Sequence, residues 1–97
     1  MRFKIVAVYP NPIGEFGGRF VVSTPFAGDV TFKLFDLRGE LIFNGALTCP
    51  GPGHYEYFWG AVNNSGNKVA YGAYYLKARI EGSGRNADDQ RWLTVLR

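Results

Sequence analysis

In the stretch YGAYYLKARIEG, residues 71–82, apolar and polar side chains alternate with a period of two. Tyr74, Leu76, Ala78 and Ile80 share one face, while Tyr75, Lys77, Arg79 and Glu81 share the other. Successive side chains of an extended chain point to opposite sides, so this alternation demands a strand that is dry on one face and wet on the other. Such half-buried strands belong to antiparallel sheets. DVTFKLFDL repeats the pattern, with Val30, Phe32 and Leu34 opposed to Thr31 and Lys33. GRFVVST directs Phe20 and Val22 inward, and GHYEYFWG sets Tyr55, Tyr57 and Trp59 against His54, Glu56 and Phe58. Strands near residues 3–9, 40–47 and 90–96 bring the expected count to about seven. The last, QRWLTVLR, is apolar on both faces, and the pattern leaves its buried side open.

Turn chemistry separates these runs. DLRG, residues 36–39, places Asp36 first and Gly39 fourth, which suits a type I turn followed by a left-handed glycine. Pro10-Asn11-Pro12 can donate from neither proline and takes the chain out of a first strand by a fixed bend. CPGPG marks a break at 49–53 and GSGRNADD another at 82–89. With no helical periodicity of useful length, these signals predict an all-β fold, an immunoglobulin/fibronectin-III-like antiparallel β-sandwich over residues 1–97 as a single domain. Phe20, Val22, Val30, Phe32, Leu34, Tyr57, Trp59, Tyr74, Leu76 and Ile80 form its expected core.

Composition narrows the function. The chain carries 11 Lys and Arg against 8 Asp and Glu, a net charge of +3. The basic residues are scattered singly, without the stripe that a phosphate backbone requires, so no nucleic-acid partner is expected. Cys49 is the sole cysteine, which excludes an internal disulfide and a cysteine-based zinc site. It lies beside PGPG in an expected loop and reads as a bystander thiol. His54 is the sole histidine, and nothing near it in sequence is placed to orient it as a base. No catalytic residue, metal or cofactor is therefore expected, and the chain reads as a non-enzyme. No apolar run is long enough for a transmembrane helix, and MRFKIVAVYP lacks the features of a signal peptide. These absences leave two expectations, a cytoplasmic chain or one domain of a longer protein, and the second is preferred.

The loop WGAVNNSGNKVAYG, residues 59–72, is the stretch with most functional promise. A phosphate-binding loop needs G-x-x-x-x-G-K-[ST] leading into a helix, whereas here Asn67, Lys68 and Val69 follow Gly66 and lead into strand. A calcium loop needs alternate carboxylates, and residues 59–72 contain none. Asn63-Asn64-Ser65 matches the N-glycosylation pattern, which matters only on a eukaryotic secretory path. What remains is a structural connection whose asparagines and glycines accept positive φ and fold back on their own amides, with Asn63 to Asn67 at the tip.

Four motifs in register carry a resemblance. VYPNP at 8–12, LFDLRGELI at 34–42, WGAVNNSGNKVAYGAYYLKA at 59–78 and RWLTVLR at 91–97 resemble bacterial Ig-like modules related to the C-terminal domain of the flagellar hook-capping protein. They are equally similar to the C-terminal sorting domains of the type IX secretion system. The resemblance spans nearly the whole chain. It implies structural roles for Pro10, Asn11, Pro12, Asp36, Gly39, Trp59, Gly66, Gly72 and Tyr74, and none of them is a catalytic residue in those families. The sequence departs from the pattern where the acid after the tryptophan is Gly60 and the next glycine is Ala61, so a looser or differently folded loop is expected there.

The resemblance implies a non-catalytic accessory module at the C-terminal end of a secreted or cell-surface bacterial protein, acting in sorting, surface attachment or spacing. Its partners would be other domains of the parent or a secretion or surface component. RWLTVLR reads as the terminal strand at a sheet edge, with Arg91 and Arg97 adding charge to an interaction edge. A flagellar hook-cap scaffold is one alternative. Another is a carbohydrate-binding module presenting Phe58, Tyr71, Tyr75 and Trp92 to a glycan.

Overall fold

The alternating runs become strands in the computed structural model, which describes residues 2–96. In chain order these are β1 (Lys4–Gly14), β2 (Gly17–Thr24), β3 (Gly28–Phe35), β4 (Leu41–Cys49), β5 (Gly53–Trp59), β6 (Gly72–Gly82) and β7 (Arg85–Val95), with no helix among the described residues. Their lateral order is β4-β3-β6-β7-β1-β2-β5. β1 links the two layers. It pairs antiparallel with β2 and meets β7 in parallel only at Ile13 opposite Val95. One layer is β1-β2-β5 and the other β4-β3-β6-β7, the arrangement of an immunoglobulin/fibronectin-III-like sandwich.

The strands at the ends of that order, β4 and β5, close one side of the sandwich. The Phe43 ring on β4 lies 6.4 Å from Tyr57 and 6.1 Å from Trp59 on β5. A Cβ at Gly45 would collide with the Tyr57 hydroxyl, so any larger residue there would displace the Tyr57 ring.

Inside, Phe20 packs 5.5 Å from Phe32 and 5.8 Å from Trp59, and Phe32 lies 5.0 Å from Tyr57. These offset and tilted geometries are the favoured ones for aromatic pairs. The expected inward residues are buried, except that Tyr57 is half-buried and packs against the core from its margin. Phe3, Ile5 and Ile13 join from the first strand and its approach. β7 settles its ambiguous face by burying Leu93 and Val95 and leaving Trp92 outside.

Three expectations are corrected. The break at 82–89 shrinks to Ser83 and Gly84, whose positive φ values of 54° and 71° make a tight hairpin turn. Asn86 to Asp89 then continue as strand opposite β6, because the two-residue turn already reverses the chain. Cys49 is the last residue of β4, opposite Gly28 and buried, not a loop thiol. Burial, with Asp29 adding to it, pushes its thiol pKa up, away from nucleophile chemistry. Pro10, Asn11 and Pro12 do not end the strand; they are exposed within β1, and the pairing with β2 jumps from Tyr9 opposite Arg19 to Gly14 opposite Gly17. Over this unpaired stretch, where the prolines have no N–H to offer, the chain passes from β2 toward β7.

The DLRG turn forms as its residues dictate. The Gly39 amide donates to the Asp36 carbonyl at 3.0 Å, and Gly39 takes a φ of 84°. Asp36 Oδ1 accepts from the amides of Arg38 at 2.9 Å and Glu40 at 3.0 Å. The Glu40 amide, followed by the amide and guanidinium of Arg38, holds the Asp36 carboxyl below its ordinary value of 3.8 against a smaller desolvation effect. A carboxyl lowered by folding stabilises above its unfolded pKa and loses that contribution as pH falls through the folded value. Asp36→Ala should therefore lower the melting temperature at neutral pH, and the gap to the parent chain should close as the pH drops below about 4. A gap that persists unchanged in acid would show that the carboxylate is not the group holding this turn.

Candidate interaction surfaces

The loop at 60–71 is tied down by its own polar groups. Asn63 Oδ1 accepts from the amides of Ser65 and Asn67, both at 3.0 Å, and the Asn63 amide donates to the Asn67 carbonyl at 2.8 Å. Gly66 sits at the tip with a φ of 84°, where a side chain would be strained. The Asn63 amide oxygen of the glycosylation pattern is thus engaged in holding the tip. Asn64 acts as a false strand residue for β4. Its amide donates to the Ile42 carbonyl and its Oδ1 accepts from the Asn44 amide, each at 3.0 Å.

Contacts from Lys68 and Val69 tie the loop at Gly60 and Ala61. Lys68 Nζ reaches back to the carbonyls of Gly60 and Glu15, and the Val69 amide donates to Ala61 at 3.0 Å. Trp59 Nε1 donates to the Val62 carbonyl at 2.8 Å. Ala61 itself is buried with a φ of 59°, a conformation that costs an L-residue roughly 1–2 kcal/mol and that glycine adopts freely.

Gly72 opens β6, and Tyr74 two residues later is buried with its hydroxyl donating to the Ala70 carbonyl at 2.6 Å. This is a tyrosine corner: a ring in the core and a hydroxyl pinning the chain upstream. Burial, with a further push from Asp36, raises the hydroxyl's pKa above 10.0, so it remains a donor at neutral pH.

The four aromatic residues proposed for a glycan do not converge. Phe58 lies on β5 beneath the Arg19 guanidinium, 5.7 Å from the ring, and Tyr71 lies in the loop before β6. Only Tyr75 and Trp92 meet, ring centroids 4.8 Å apart, on the outer face of β6 and β7. Phe35 extends that row as the β3 neighbour of Tyr75.

Arg91 is exposed on β7, opposite the buried Leu76 of β6. Arg97 lies outside the described residues. β7 is not the outermost strand, since β1 follows it in the order, but their pairing is confined to Ile13 and Val95. A shallow depression of about 600 Å³ opens where β1 departs, lined by Arg2, Lys4, Val6, Asp89 and Arg91 among others.

Among the described residues no group of three or more His, Cys, Asp or Glu is placed to hold a metal ion. No helix among them is long and apolar enough to cross a membrane. Calcium, zinc and nucleotide should each leave the melting temperature unchanged. A ligand at a hundred times its Kd that binds only the folded state adds about 2.7 kcal/mol, so a clear upward shift with any of the three would reveal a site for it.

No protein-family model matches the sequence, and no curated protein matches it. Solved structures do. The dimeric latent PorU of Porphyromonas gingivalis superposes with a TM-score of 0.81 at 19% identity, over 95% of this chain and 9% of that one. FlgD of Xanthomonas campestris, the flagellar hook-capping protein, gives 0.73 at 21% identity over 96% of this chain and 67% of that one. PorZ, a surface component of the type IX secretion system of Porphyromonas gingivalis, gives 0.62 at 26% identity over 94% and 11%. The chain thus has the Ig-like fold of the FlgD and type IX secretion C-terminal-domain type. It spans about a tenth of PorU and PorZ.

Proposed function

We propose that residues 1–97 form a single non-catalytic accessory domain at the C-terminal end of a larger exported bacterial protein, where it serves sorting or surface attachment. The observation that carries this reading is the fold match to PorU and PorZ, in which the matching unit is 9% and 11% of a much larger chain. The four sequence motifs in register support it. The structural residues Pro10, Asn11, Pro12, Asp36, Gly39, Trp59, Gly66, Gly72 and Tyr74 build the scaffold, and its information lies on exposed surface, as befits recognition by another domain or by a secretion or surface component. The test is to delete the domain from the full-length parent in its native organism and follow the parent in cytoplasm, surface and medium. Loss from surface and medium with the remaining domains folded is the expected result. Normal localisation would exclude sorting and attachment.

A hook-cap scaffold is the second reading, favoured by the match that covers 67% of FlgD. The glycan reading has only the Tyr75 and Trp92 pair to stand on.

A further inference from the structure

We infer that the open edge of β7, beside the cleft that β1 leaves, accepts an extended acidic polypeptide segment as an added strand. From Arg85 to Leu93, β7 has a ladder partner on its β6 side and none among the described residues on the other, the bridge to β1 beginning at Thr94 and Leu96, which flank Val95. A strand edge of this kind exposes backbone N–H and C=O groups at regular spacing, which is the template that strand addition uses. The edge is open because β1 turns away. Its pairing with β2 shifts register between Ile5 and Ala7, an irregularity that bends a strand out of line, and it rejoins β7 only at Ile13.

The charge beside this edge selects the partner. Arg2, Lys4 and Arg91 line the depression together with a single carboxylate, Asp89. Asp89 is already engaged, its Oδ2 accepting from the Ile5 amide at 2.9 Å and bridging β1 to β7 where backbone pairing stops. The ion pairs of the described residues engage Arg19, Arg38 and Arg79, and none of them includes Arg2, Lys4 or Arg91. Three cations against one carboxylate leave the depression net positive, and the arrangement gains when an anionic segment lies beside it. Charges at an edge also deter pairing with like-charged strands. With a net charge of +3 and a basic rim, a second copy of this chain is disfavoured, whereas Asp or Glu at alternate positions of an incoming strand is matched.

This inference rests on the accessory-domain reading only for its biological setting, because binding by the 97-residue chain and localisation of the parent are separate measurements. The probe is a labelled peptide of about ten residues alternating Glu with Val, the length of the open edge. Its controls are the same sequence with Lys for Glu, and the Glu peptide N-methylated at alternate amides. We expect the Glu peptide to bind, to slow hydrogen exchange of the amides between Arg85 and Thr94, and to weaken in high salt. Lys4→Glu with Arg91→Glu should weaken it at least about tenfold while the melting temperature stays near that of the parent chain. The N-methylated peptide should bind at least about tenfold more weakly as well. Equal binding of acidic and basic peptides, or of the methylated and free peptides, would overturn the inference, as would no binding at all. A concentration-dependent dimer in sedimentation that protects the same amides would assign the edge to a second copy instead.

Discussion

Trp59→Ala should cost the domain about 3–5 kcal/mol, while Phe58→Ala, one residue earlier, should cost little. Domains of this size hold on the order of 5–15 kcal/mol in total, so the first change brings the chain near unfolding. Trp59 is 1% exposed, packs against Phe20 and Phe43, and donates from Nε1 to Val62, so it joins both layers and the 60–71 loop at one point. Removing it leaves a large cavity and an unheld loop. Phe58 points to the opposite side and is 55% exposed. Chemical denaturation of the two variants reads the difference directly, and equal losses would mean that the wall formed by β5 is wrongly assigned.

The second large effect is at Tyr74. Tyr74→Ala should also cost about 3–5 kcal/mol, and Tyr75→Ala, on the outer face, far less. Tyr74→Phe separates the two parts of the role: the ring stays, the bond to Ala70 goes, and the expected loss is about 0.5–1.5 kcal/mol. The raised hydroxyl pKa adds a pH signature. A group whose pKa rises on folding contributes stability below its unfolded value and loses it as pH climbs through the folded one. The parent chain should therefore weaken above about pH 10, and Tyr74→Phe should lose part of that alkaline decline. A Tyr74→Phe variant with the same alkaline profile as the parent chain would place the hydroxyl outside the core's low-dielectric margin.

Much of this was legible because it is local. Alternation in residues 74–81 and 30–34 fixed which side chains face inward, since the pleat allows no other outcome. Asp36 and Gly39 announced their turn, because an Asx side chain and a left-handed glycine satisfy each other within four residues. Asn63 and Gly66 did the same for the loop tip. Local composition misled where it had several readings: Gly, Asn and Asp at 82–89 suggested a long break, yet two residues turn the chain and the rest pairs with β6.

The sequence by itself thus determined the all-β class, the inward faces and the turn chemistry, all of which follow from interactions within a few residues. Only the tertiary structure decided which side of QRWLTVLR is buried, that Lys68 reaches the carbonyls of Gly60 and Glu15, and that β1 crosses between layers and leaves β7 open. Each of these depends on what lies opposite in space. Lys68 meets Glu15, 53 positions away, and Asp89 meets Ile5, 84 positions away. Pairings at such separation are selected by the collapse of the whole core, which no window along the chain contains.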